Sequence, residues 1–209
     1  MLTAMKLKTI ATPLCWILGL LALSAFLEKP AEEKFVVDTQ ASTLVWTAKK
    51  VTGSHTGAVK VGAGELALEG KALKRGSFDI DLSSITVTDI TDAQSNAKLV
   101  GHLKGEDFFS VNAFPKANFV LSSATPQAGS TYLVKGKLTI KGITNDIEFP
   151  ASVVKDGKKL TATAKIVVDR TKYDIRYRST NFFENLGDKA IDNEFTLDIK
   201  LVAAAQKGV

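Results

Sequence analysis

The chain is 209 residues long, with 45% hydrophobic and 23% charged residues and a formal net charge of +5. That balance is globular and excludes a disordered, collagen-like or polytopic membrane chain, and the size suits one domain or two small ones. Lys6 and Lys8 are the only charges among residues 1–25, so the body without that segment carries +3, too weak and dispersed for a nucleic-acid footprint.

Met1–Lys8 form a short basic region, Thr9–Leu27 carry no charge, and the apolar run Ile17–Leu23 ends at the small residues Ser24 and Ala25. This is the order of a secretory signal over residues 1–25, cleaved after Ser24 or Ala25, with a periplasmic destination. The competing reading is a retained anchor, because the 19 uncharged residues are just long enough to span a bilayer. Cys15, the sole cysteine, lies in this segment, leaving the body no thiol chemistry, disulfide or cysteine-bound metal. Residues 26–33 read as a solvated tether, residues 34–202 as the folded body and residues 203–209 as a tail.

From Phe35 onward apolar residues recur with period two, the strand signature. Leu44–Val51 begins the series, followed by a glycine-interrupted pair between Thr56 and Glu69. Phe78, Ile80 and Leu82 then alternate with Asp79 and Asp81. Asp92–Phe109 breaks the alternation and reads as a short helix and loop, capped by Thr91 or Asp92 and ended by Gly101 or Gly105. Phe108, Phe109 and Phe114 follow; this cluster either folds over a barrel mouth or plugs one end of the core. Lys116–Ala124, Val134–Ile140, Ile147–Val153, Leu160–Val168 and Phe195–Leu201 complete eight or nine strands, separated by turn-forming runs such as Gly142–Asn145 and Lys155–Lys158.

Such strands pair antiparallel, and eight of them hide one apolar face by closing into a barrel or packing as two sheets. Unbroken alternation over long strands favours closure, which also removes sheet edges. The expected fold is therefore all-β, a single antiparallel eight-stranded β-barrel with a short helix/loop insertion. Parity nominates Trp46, Phe78, Ile80, Phe119, Leu121, Phe149, Ile166, Phe195 and Leu197 as inward residues, with Phe108 at the mouth. Periodicity identifies the buried face and leaves open whether that face lines a cavity or an ordinary core.

No constellation for catalysis assembles. His55 and His102 stand apart, no nucleotide, metalloprotease or nucleophile-elbow motif occurs, and Asp79 with Asp81 lie on a solvated face. The reading is a non-enzyme without a cofactor or metal. The densest charge cluster runs from Asp169 to Arg178. If extended, it aligns Lys172, Arg176 and Arg178 on one face, and with Arg170 these cations either clasp an anionic head group or stay wet beside Asp169 and Asp174.

Several segments, taken in order, resemble the YceI-like family of exported polyisoprenoid-binding proteins. They are Val37-Asp38 with Ser42-Thr43-Leu44-Val45-Trp46, Gly76-Ser77-Phe78-Asp79-Ile80-Asp81, and His102-Leu103-Lys104-Gly105-Glu106-Asp107-Phe108-Phe109 running into Phe114-Pro115-Lys116-Ala117-Asn118-Phe119. Val134–Thr144 and Val168-Asp169-Arg170-Thr171-Lys172-Tyr173 follow. The resemblance implies a lipocalin-like barrel whose apolar tunnel holds a long-chain isoprenoid or another amphiphilic lipid, with no catalytic residues; transient membrane contact and a homodimer are compatible with it. One stretch departs from the family pattern: Asp92–Gly101 stands where an acidic and arginine-containing run is usual. A carrier is physically reasonable, since roughly 20 buried CH₂ groups at about 0.8 kcal/mol each keep such a tail out of water. The alternatives are a structural barrel with a filled core and a lipid-modifying enzyme.

Overall fold

The structure is a computed structural model and describes residues 31–206. The expected leader over residues 1–25, most of the tether and the last three residues lie outside the described residues.

Ten strands follow one another along the described chain: β1 Glu32–Val37, β2 Thr43–Lys50, β3 Gly53–Ala58, β4 Lys60–Glu69, β5 Ala72–Asp81, β6 Lys116–Pro126, β7 Thr131–Ile140, β8 Ile143–Asp156, β9 Lys159–Asp169 and β10 Ile191–Ala205. They pair antiparallel in the order β1-β4-β5-β6-β7-β8-β9-β10-β2-β3, and β1 also pairs with β10. Strands β1 and β2 lie end to end along one edge of β10, and β4 and β3 lie end to end against them. Ten segments thus fill eight wall positions, and the eight-stranded antiparallel barrel closes as expected. The extra breaks are local. Asp38 accepts hydrogen bonds from the amides of Gln40 and Ala41 at 3.0 and 3.1 Å, turning the chain between β1 and β2.

The sheet also takes in Glu32 and Glu33 from the expected tether and Ala203–Ala205 from the expected tail. Phe35 sits between Leu66 of β4 and Ala205 of β10 and is wholly buried, so its strand needs partners on both sides.

The helix α1, Ala93–Lys104, falls in the β5–β6 connection, as the loss of alternation predicts. Asp92 caps it by accepting from the Ser95 amide at 2.8 Å, and Gly105 ends it. The connection is tied down. Asn96 Nδ2 donates to the carbonyls of Val87 and Ile90, both at 2.9 Å, and the amides of Thr86 and Thr88 donate to Ala58 and Thr56, also at 2.9 Å. This connection therefore covers one end of the barrel. At the opposite end Phe35, Leu68, Tyr132, Leu160 and Ala203 are buried against one another, and Tyr132 Oη donates to the carbonyl of Lys71.

Glycine supplies room where rings cross strands. A Cβ on Gly57 would lie 1.8 Å from the Thr86 carbonyl oxygen and 2.7 Å from the Trp46 ring, and one on Gly136 would lie 2.3 Å from Phe119 Cζ. Gly57 sits in β3 as the floor beneath Trp46.

Candidate functional site

The interior is apolar but not filled. One cavity of about 90 Å³ is lined by Phe78, Phe119, Leu121, Phe149 and Ile166 among others, and a second of about 80 Å³, nearer α1, by Trp46, Phe108, Phe109, Phe195 and Leu103. Leu44, Ile80, Leu138 and Leu197 face both, so the two chambers lie in line with a leucine and isoleucine constriction between them. All ten nominated lining residues face one chamber or the other. The constriction residues Leu44 and Leu138 stand outside the nominated lining, although Leu44 shares the inward face of Trp46 and Leu138 belongs to the alternating run Val134–Ile140.

Aromatic rings pave the chambers. Phe78 stacks on Phe119 at 6.1 Å between centroids and Phe119 meets Phe149 at 5.7 Å in the first, while Phe109 meets Phe195 edge-on at 6.5 Å in the second. Trp46 Nε1 donates to the Thr86 carbonyl at 3.0 Å, which satisfies its one polar atom and leaves the ring to the cavity. Voids of this size left empty cost about 4 kcal/mol together, at about 24 cal/mol per Å³. Apolar cavities exclude water, so what fits them is hydrocarbon.

The Asp169–Arg178 segment corrects the sequence reading. It is not extended. Asp169 accepts from the Thr171 amide at 2.9 Å and from its hydroxyl at 2.6 Å, which nucleates a single 3₁₀ turn over Arg170–Tyr173, and Asp174 and Arg178 take positive φ. The shared cationic face is therefore lost. Arg170 is 4% exposed and donates to the carbonyls of Asp192, Ile175 and Ile191 at 2.9, 2.8 and 3.0 Å, clamping the β9–β10 loop. Burial pulls its guanidinium down from the ordinary value, against the attraction of Asp169 and Asp192. Lys172, Arg176 and Arg178 are exposed on the outside; Arg176 pairs with Asp174 at 2.5 Å and lies over the Phe182 ring.

The carboxylates and histidines also have specific partners. Hydrogen bonding from Asn118, then Lys116, holds Asp79 below the usual carboxylate range despite partial burial, and Asp81 caps a short turn by accepting from the Ser83 amide. Sequence spacing paired neither histidine, yet His55 Nδ1 lies 2.8 Å from Asp89 and His102 Nε2 lies 3.1 Å from Asp107. The first pairing joins β3 to the α1 connection and the second spans the end of α1, so only the fold brings them together.

The architecture is that of a closed antiparallel barrel with a two-chambered apolar interior. Residues 35–203 match the family model of the YceI-like domain, and the chain belongs to that family. A UPF0312 protein of Pseudomonas putida is 25% identical over 191 residues, covering 91% of this chain and 95% of the relative. The Shewanella oneidensis relative matches in part: it is 28% identical over 90 residues, and the chain spans 47% of its length. Among solved structures, Burkholderia cenocepacia BcnA superposes with a TM-score of 0.65 at 24% identity, covering 80% of this chain and 99% of that one. A polyisoprenoid binding domain from Saccharophagus degradans superposes with a TM-score of 0.61 at 15% identity, over 82% and 98% of the two chains. At these identities both show the fold.

Proposed function

We propose that the chain binds one long-chain lipid of the isoprenoid class along the barrel axis, and that it works as an exported, periplasmic carrier or store without chemistry of its own. The observation that carries this reading is the pair of in-line apolar chambers, whose carbon lining matches a hydrocarbon chain and whose empty state is costly. The polyisoprenoid-binding description of the Saccharophagus degradans neighbour supports the same ligand class. Exchange with a membrane accompanies the role, because a chain buried in a barrel and one buried in a bilayer are in similar media.

The test is a titration with geranylgeraniol, followed by Trp46 emission in a Trp16→Phe background where Trp46 is the only tryptophan. Saturation near one lipid per chain is expected. Ala164→Leu, which fills part of the first chamber, should weaken binding while leaving the ligand-free protein about as stable. In a filled core the same change would overpack and cost about 1–3 kcal/mol. Destabilisation by Ala164→Leu together with an unmoved Trp46 emission would overturn the reading in favour of a structural barrel.

A further inference from the structure

The barrel wall is closed unevenly. The β8–β9 ladder runs from the Asp156↔Lys159 pair to Ala151↔Ala164 and stops there, so residues 143–150 of β8 and 165–169 of β9 have no register partner across the gap. The backbone explains the stop. Val153 N donates to Ser130 O beside β7, and Ala205 N donates to Lys158 O beside β9. By alternation, even residues of β8 and odd residues of β9 point their peptide groups at one another. The next pair would be Pro150 with Lys165, and proline has no N–H to give.

Side chains follow the same division. Lys135 of β7 pairs with Glu148 at 2.7 Å and Lys137 of β7 with Asp146 at 2.9 Å, while Lys165 of β9 turns to Asp198 of β10 at 3.9 Å. Among the described residues no ion pair or side-chain hydrogen bond crosses between 143–150 and 165–169. Only the rim is tied, by Asn145 Nδ2 on the Lys172 carbonyl at 2.9 Å and Lys141 Nζ on the Asp174 carbonyl at 3.1 Å. Directly behind the gap stand Phe149 and Ile166, which line the first chamber. The β5–β6 ladder is also partial, covering Ser77–Asp81 against Lys116–Val120, but the two strands stay in contact at the point where it stops. A Cβ on Gly76 would lie 3.6 Å from Leu121 Cβ and 3.1 Å from Leu66 Cδ2.

We propose that the β8–β9 gap is the lateral door through which an apolar chain enters and leaves the first chamber, with Phe149 and Ile166 as its gate. The inference rests on the lipid-binding reading and adds the route. The alternatives are costlier. One end is packed solid by Phe35, Leu160 and their neighbours, and the other lies under the hydrogen-bonded α1 connection. Opening the gap breaks no ladder bond and needs only two side chains to swing and two rim contacts to yield.

The test joins the two edges covalently in a Cys15→Ser/Trp16→Phe background, with Glu148→Cys and Val167→Cys, which face outward where the ladder would continue. With the pair cross-linked, uptake of geranylgeraniol from phosphatidylglycerol vesicles, followed by Trp46 emission, should slow on the order of tenfold, and reduction should restore it. The amount bound at equilibrium should not change. Arg75→Cys with Ser122→Cys, across the β5–β6 gap, should leave the rate unaltered. Pro150→Thr, which returns the missing donor, should slow uptake without any cross-link. An unchanged rate in both the cross-linked pair and Pro150→Thr, or equal slowing by the β5–β6 lock, would overturn the door. If the uncross-linked protein takes up no geranylgeraniol at all, the lipid-binding reading itself fails.

Discussion

At Gly136 a single hydrogen atom separates a packed aromatic from a clash. Phe119 lies flat across β7 because nothing projects from that position, and an added Cβ would meet Phe119 Cζ at 2.3 Å and the Val120 carbonyl at 2.6 Å. Gly136→Ala should therefore cost about 1–3 kcal/mol in urea unfolding and shift the ring into the first chamber. Arg170 acts in the opposite sense, filling donor sites rather than leaving space. Arg170→Met would strand three carbonyls at the root of the β9–β10 loop, and a loss of about 2–4 kcal/mol is expected, with faster hydrogen exchange over residues 175–191. Tyr173 is 1% exposed, and burial, then the Asp169 charge, push its hydroxyl up to about 12. Because the folded state holds this proton more tightly than the unfolded chain, the stabilisation is complete below about pH 10 and lost as pH rises through 12. Tyr173→Phe should flatten that alkaline decline, which a series of thermal melts between pH 9 and about 12 will measure.

At the scale of elements, the strands were legible wherever alternation was uninterrupted. Val134–Ile140, Leu160–Val168 and Phe195–Leu201 appear as parts of β7, β9 and β10, and the loss of period at Asp92 marks α1. What alternation could not convey was where short polar contacts override it. Residues 169–178 alternate as well as any strand, yet Asp169 captures the Thr171 amide and the chain turns. The inward faces were readable because parity alone fixes them. The chambers were not, because whether aligned side chains meet or leave space depends on barrel geometry and on which neighbour is glycine. The two His–Asp pairs were invisible for a related reason, since each joins residues that only the folded connection brings together. Asn96 is the element-level test of that connection. Its side chain caps two carbonyls under α1, so Asn96→Ala should loosen the α1 end and quicken hydrogen exchange over residues 93–104, while the barrel strands remain protected.

For the molecule as a whole, the uneven ladders divide the barrel into a three-stranded wall, β6–β7–β8, and a second wall made by the remaining strands. Half-ladders at opposite corners join them: the β5–β6 pairs near α1 and the β8–β9 pairs at the far end. The central claim is that a hydrocarbon chain occupies the two chambers in the working protein. Native mass spectrometry of the protein purified from its own host, followed by lipid extraction of the same sample, tests it most directly. The account predicts a single mass increment per chain, released into the organic phase as a long-chain isoprenoid. A bare polypeptide mass, with nothing apolar recovered from it, would contradict the account.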